Sequence, residues 1–300
     1  LKAKNSCYIR AFESSQQNLR QNWSLIKSLM GRLKSNNNQI SLNIDNKTVT
    51  HPTIIAEHFN SFFSQVATNL DNNLPQPSAN NYEFSSVTHE PIMSFYLFPV
   101  STREISSLIN KLKLTKTDLN TMPVKIFKLL YNILSGPLTR IINLSFQNGI
   151  FPDSLKMAKI TPIYKKGDPN LPTNYRPIAT LHYISKIFER ALYNRLLSYL
   201  KYKNLLSYQQ YGFLRGKSTH DAVINLLEFI YNSLDKKQHN MNILIDLSKA
   251  FDTVNHKILL NKLNRFGIRG TPHDLLKSYL NNRQQVVRIK NATSTPKKIN

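Results

Sequence analysis

A mixed chain of helices and strands, α/β in content and α+β in arrangement, is predicted by three features of these 300 residues. Apolar residues recur at helical spacing over several long stretches, short β-branched runs stand between them, and a Pro- and Asn-rich stretch at 71–81 sets off a mainly helical accessory segment from a larger basic region. With 41% hydrophobic and 10% aromatic residues there is enough apolar material for a sizeable core.

Taken in order, Ile54, Ile55, Phe59, Phe62 and Phe63 repeat as a helix ahead of the linker. Beyond it, Ser101 and Glu104 have the spacing of a capping box for a helix over 101–113, whose apolar face is Ile105, Leu108, Ile109 and Leu112. Met157–Tyr164 alternates and is β-rich, and Lys165-Lys166-Gly167-Asp168-Pro169-Asn170 reads as a turn, so a hairpin entering a loop is expected there. Ser185–Leu200 carries a broad helical stripe. Ser218–Asp235 does the same through Val223, Leu226, Leu227, Ile230 and Leu234, with Ser218 and Asp221 spaced as a second capping box. Met241–Leu247 is too short and β-branched for a helix and predicts a buried strand with the carboxylate of Asp246 near its C-terminal end. Helices follow at Val254–Phe266, stopped by Gly267, and at Thr271–Leu280, with Thr271 as cap and Pro272 in the first turn; Gln284–Lys290 returns to strand.

Charge narrows the function. Forty Lys and Arg against 17 Asp and Glu leave +23, which points to a polyanionic partner, and residues 51–100, with no Lys or Arg at all, are excluded from that surface. A single cysteine, Cys7, cannot form an internal disulfide or a Cys-rich zinc site, and implies a reducing, intracellular setting. No stretch approaches the ~18 consecutive apolar residues of a membrane span. The chain starts at Leu1 without a signal pattern and reads as an internal piece of a longer protein.

A carboxylate at the end of an apolar strand is costly to bury unless it is paired or holds a metal. From position alone Asp246 is equally an ion-pair partner of Lys249 or a cap for the next helix. Its context is more specific. Asp246-Leu247-Ser248-Lys249-Ala250-Phe251-Asp252-Thr253-Val254-Asn255-His256 resembles the first metal-binding motif of non-LTR (LINE-type, jockey-like) retrotransposon reverse transcriptases. Asn174-Tyr175-Arg176-Pro177-Ile178, Lys186-Ile187-Phe188-Glu189-Arg190, Gln210-Tyr211-Gly212-Phe213 with Ser218-Thr219, and Ser278-Tyr279-Leu280 through Val286 fall in that family's order and spacing.

The resemblance implies a right-hand polymerase with residues 91–240 as fingers and 241–300 as the start of an incomplete palm, behind a connector at 1–90. It implies RNA-directed DNA polymerase activity on an RNA template and DNA primer, with deoxynucleoside triphosphates as substrates and two Mg²⁺ ions in the complete enzyme. It also implies an intracellular ribonucleoprotein of nucleus and cytoplasm. Asp246 matches the carboxylate that binds both ions and Leu247 the adjacent backbone carbonyl ligand. Phe251 matches the aromatic under the incoming sugar; read without the family it is a core ring at a strand-to-helix junction. Arg176 with Lys165 or Lys166 matches the triphosphate clamp, although a basic turn alone is ordinarily just solvated.

Departures from the family are expected to matter. Leu214 stands where many relatives carry a basic residue, which leaves template contact to Arg215 or Lys217. Gly212 to Ser218 has three residues between its glycines where a phosphate-binding P-loop needs four. The segment Lys116–Asn120 is rearranged, Asp252 is read as structural, and His256 and His273 lack a third metal ligand. The family's Tyr-x-Asp-Asp hairpin and the Pro-Gln-Gly segment before it do not occur in this sequence. An inactive or co-opted RNA-binding fragment is therefore the second reading, which +23 supports equally.

Overall fold

Alternation along β3 (Met157–Tyr164) explains the sheet: Ala158, Ile160 and Pro162 are buried on one side while Thr161 and Ile163 stay exposed on the other. The computed structural model describes residues 40–45, 47–73, 93–113, 123–247, 250–251 and 253–299, together with residue 26. β3 pairs antiparallel with β4 (Tyr175–Leu181), with Ile163 opposite Arg176, and parallel with β5 (Gln284–Ile289), with Ile160 opposite Val287. β6 (Ala292–Thr293) and β7 (Lys297–Lys298) both pair antiparallel with β5. The expected hairpin and the expected final strand are both present.

The long helix α1 (Pro52–Asn73) lies against β5 and its neighbours, and Ile55, Phe59 and Phe63 join Ala158, Ile160, Tyr175 and Val287 in one apolar cluster. Within it the fully buried Asn60 donates to the Thr295 carbonyl at 2.7 Å and accepts from the Gln285 side chain at 3.0 Å. Satisfied polar groups inside an apolar contact permit one register of helix on strand and penalise others. A small hairpin of β1 (Leu42–Ile44) and β2 (Lys47–Val49), which the sequence pattern did not reveal, adds the buried Leu42 to the same cluster. The stretch from 74 to 92, which holds most of the predicted linker, lies outside the described residues, as does Lys116–Asn120.

A second cluster is helical. It gathers α2 (Thr102–Asn110), α3 (Val124–Leu129), α4 (Tyr131–Asn148), α5 (Tyr183–Tyr202) and α8 (Thr271–Leu280) around Ile105, Ile109, Phe146, Phe151, Ile187 and Phe188. Phe151 is its centre, with its ring 4.7 Å from that of Phe188 and 5.0 Å from that of Tyr279. α4 ends at Gly149 in a left-handed conformation, φ 66°, where a Cβ would approach Asp274 and the Thr271 carbonyl to 3.0 Å. Glycine there permits both the cap and the close approach of α8.

Helix ends show where the local sequence signals hold. Around α6 (Thr219–Asp235) the capping box is complete: Ser218 Oγ accepts from the Asp221 N–H and Asp221 accepts from the Ser218 N–H. At α2 only half forms, because the Glu104 carboxylate is drawn away to Arg195 on α5. α7 (His256–Arg265) starts two residues later than expected, since Asn255 Oδ1 accepts from the Lys257 and Ile258 N–H groups. At α8 the cap position belongs to Gly270 rather than Thr271, with φ 60° and ψ −139°, a conformation glycine tolerates and threonine does not. Among the described residues no helix is long and apolar enough to cross a membrane.

Candidate functional site

The β3–β4 loop presents a group of cations on a firmly tied turn. The Lys165 N–H donates to the Asn174 carbonyl at 2.8 Å and so extends the hairpin ladder one step past Tyr164. Asp168 Oδ1 accepts from the Asn170 N–H at 2.9 Å, and the Asp168 carbonyl accepts from the Asn174 side chain at 2.9 Å. Tyr175 donates to the Pro169 carbonyl at 2.7 Å, Tyr164 donates to that of Gly167, and burial pushes the Tyr175 phenol up from its usual value. Gly167 turns at φ 92°, with the Asn174 side chain packed where a Cβ would stand. Directly paired residues share a face, so Ile163 and Arg176 lie together, and Lys165, whose N–H adds one more bond to the ladder, continues that alternation one residue past β3, whereas Lys166 stands in the bend that follows. That face is the one α1 leaves open: Arg176 is exposed, as are Ile163 and Ile178.

Asp246, Leu247 and Phe251 lie in a second group. The buried strand expected at Met241–Leu247 is absent: the segment carries no strand pairing, and Ile243, Leu244 and Ile245 are 77%, 91% and 81% exposed. The physical reason is that an apolar run becomes a strand only when a neighbour supplies ladder hydrogen bonds and an apolar face, and among the described residues no strand pairs with it. Asp246 is accordingly exposed. It does not cap α7, a role Asn255 fills, and Lys249 and Asp252 lie outside the described residues.

Phe251 is 78% exposed, which overturns its reading as a core ring. Among the described residues its ring meets that of Phe213 edge-on, centroids 5.7 Å apart at 84°. Phe213 is itself 82% exposed and sits at φ 62°. The Gly212-Phe213 block and the turn after Asp246, far apart in sequence, are thus brought together. Arg215 is exposed, and Lys217 lies 4.8 Å above the Tyr211 ring while donating to the Tyr208 carbonyl at 3.4 Å. The Asn225 side chain on α6 bonds the Tyr211 hydroxyl and fastens this loop to the helix. α6 exposes most of its apolar stripe, with Val223 54% and Leu234 58% exposed. Exposed apolar residues grouped along one helix mark a surface suited to contact with a partner.

Sequence reasoning passed over the Glu189–Tyr279 pair, which ties the two blocks Lys186–Arg190 and Ser278–Leu280. Tyr279 donates to Glu189 Oε1 at 2.9 Å; burial raises the Glu189 carboxyl, and burial with the Glu189 charge pushes the Tyr279 phenol up to about 12. The Arg283 guanidinium lies 4.7 Å from the Tyr279 ring centre. A pairing across 90 residues has no local sequence signal.

Residues 163–299 match the family described as "Reverse transcriptase (RNA-dependent DNA polymerase)". Over 215 residues, 68% of this chain, the sequence is 34% identical to "Probable RNA-directed DNA polymerase from transposon BS" of Drosophila melanogaster. It is 33% identical over 53% of its length to "Probable RNA-directed DNA polymerase from transposon X-element", and 31% identical over 58% to "RNA-directed DNA polymerase from mobile element jockey", both of that organism. The matched regions span 23%, 17% and 19% of those relatives' own lengths. Residues 163–299 thus match the reverse transcriptase family, and the relatives that this chain resembles include proteins named as RNA-directed DNA polymerases of transposon BS, the X-element and the mobile element jockey.

Proposed function

We propose that the chain forms the nucleotide-clamping and first-carboxylate portion of an RNA-directed DNA polymerase, and that it works together with further parts of a longer polypeptide. The observation that carries this reading is the β3–β4 hairpin, whose open face displays Arg176 and Lys165 diagonally across a rigid turn. A planar guanidinium and a point-charge ammonium at that spacing suit the oxygens of a triphosphate. Register favours Lys165 over Lys166 as the partner of Arg176. In this reading residues 91–240 act as fingers, 241–300 open the palm, and 1–90 connect to what precedes them.

Asp246 and the Leu247 carbonyl are the hard oxygen donors that Mg²⁺ takes. Among the described residues, however, no three His, Cys, Asp or Glu side chains gather at one point, so this pair alone does not make a two-ion site and no step is drawn through it. The 241–247 segment gains its strand, and Asp246 its fixed position, when neighbouring strands of the complete polymerase pair with it. Phe251, exposed beside Phe213, is then free to face an incoming sugar. Arg215 and Lys217 lie on the loop ahead of α6 and reach a template backbone.

The test is steady-state primer extension on an RNA template by the full-length polymerase. Arg176→Ala should raise the nucleotide KM about tenfold or more with a smaller change in kcat, since a ground-state phosphate contact is lost. An unchanged KM would remove the clamp. The exposed, unassembled state of Asp246 favours the second reading, an RNA-binding piece without catalysis; a full-length protein that binds RNA but extends no primer would establish it.

A further inference from the structure

We propose that the recess between residues 93–98 and the C-terminal half of α5 holds unpaired bases of a single-stranded RNA, at a site separate from the polymerisation residues. The proposal rests on the reading of this chain as a nucleic-acid enzyme. The recess has a volume of about 560 Å³ and is walled by aromatic rings from both segments. Tyr96 and Phe98 stand on one side, edge to face at 5.1 Å, each 63% exposed. They belong to the stretch 51–100, whose lack of Lys and Arg excludes phosphate contacts there, and that exclusion is revised to allow these two rings contacts to bases alone. Tyr202 stands on the other, 73% exposed, with the Lys203 ammonium 5.2 Å from its ring centre.

The surroundings are held rigid without using these rings. Arg195 binds Glu104 through both guanidinium NH groups at 2.9 Å and also donates to the carbonyls of Phe98 and Pro99. The Tyr199 hydroxyl bonds the carbonyls of Met93 at 3.1 Å and Phe266 at 2.8 Å. Large rings kept in place yet left uncovered form a stacking platform, because every base has a π-face and needs no particular hydrogen-bond code.

Charge selects the occupant. α2 and α5 run antiparallel, so that Glu104 meets Arg195 at one end of their seam while Lys111 and Arg190 border a second recess of about 310 Å³ at the other. Among the described residues the charged lining of that recess is Lys111, Lys113, Lys186 and Arg190. Arg190 and Ser198, one at each recess, are separated by about 12 Å along the helix at 1.5 Å per residue. A strand lying along the seam places bases against the rings and phosphates against the cations. An apolar peptide would satisfy the rings but bring no charge to Lys111, Lys113 and Arg190, which a phosphate backbone does; Lys186 already acts on the Glu189 carboxylate.

The experiment measures binding of a short unstructured RNA and of a blunt RNA duplex to the 300-residue chain, as Tyr96→Ala, Tyr202→Ala and Tyr202→Phe, with melting temperatures alongside. Each alanine should weaken single-strand binding about tenfold, Tyr202→Phe should restore it, and duplex affinity and melting temperature should stay unchanged because the removed rings are exposed. Single-strand affinity that ignores both alanines, or that falls equally for duplex, overturns the base-binding site while leaving the polymerase reading intact. Failure of the unsubstituted chain to bind either RNA overturns both.

Discussion

Removal of the Arg195 side chain tests how the helical half of the molecule is held. Its side chain is 10% exposed, and its guanidinium forms a two-pronged pair with Glu104, both contacts at 2.9 Å, with further bonds to the carbonyls of Phe98, Pro99 and Ala191. It also lies 5.5 Å from the Phe146 ring centre. Arg195→Ala leaves the Glu104 carboxylate, 28% exposed, facing a void, and several carbonyls without a donor. Breaking a buried pair from one side costs about 3–5 kcal/mol. For a folded unit of this size each kcal/mol moves the melting temperature by about 2–4 °C, so a fall of about 10 °C is expected. Arg195→Lys keeps the charge but only one prong and should recover roughly half. Thermal unfolding followed by circular dichroism at low and high salt is the assay, and the loss should persist at high salt, where exposed pairs are screened. A melting temperature within about 2 °C of the parent would show that the pair behaves as a surface contact and that α2 and α5 are held by apolar packing alone.

Two further outcomes follow from the site. Burial raises the Glu189 carboxyl above its ordinary 4.5, against the opposing effects of the Tyr279 hydrogen bond and the Arg283 and Lys186 charges. The native state then keeps a proton that the unfolded chain has released, so stability falls as pH rises from about 4.5 through the raised value. Glu189→Gln, which still accepts from Tyr279, should flatten that fall in urea midpoints measured across pH; an unchanged slope would place the pH dependence elsewhere. Phe251→Val removes a ring that is 78% exposed, so it should leave the melting temperature unchanged. In the full-length polymerase it should raise ribonucleotide incorporation relative to deoxyribonucleotide by about tenfold, or about 1.4 kcal/mol of lost discrimination, read as a ratio of kcat/KM values; a constant ratio would remove the sugar gate.

Local signals in the sequence located elements well wherever the partner surface is also present. Met157–Tyr164 alternates because α1 covers one side of it, and the observed strand has those bounds. The Ser218–Asp221 capping box is wholly local, and both of its bonds form. Met241–Leu247 shows the limit: its composition records that burial is wanted, not that a neighbour is at hand, and the segment stands exposed. Strands of three residues, as in β1 and β2, are too short to display a period of two. Contacts such as Glu104 with Arg195 or Phe213 with Phe251 join residues far apart in the chain and emerge only from the fold. The family motifs named Asp246, Arg176 and the paired lysines, whereas the choice between Lys165 and Lys166 turns on hairpin register, which composition does not contain.

In the proposed function Asp246 serves polymerisation and not RNA binding. Primer extension on an RNA template, with RNA affinity measured on the same preparations, tests it directly in the full-length protein carrying Asp246→Asn. Extension should fall by at least about 100-fold, or about 2.7 kcal/mol, while RNA affinity and its salt dependence stay within about twofold of the parent, since the exchange removes a carboxylate and no phosphate contact. Extension that survives the substitution would show that Asp246 is not the catalytic carboxylate and that the site lies elsewhere.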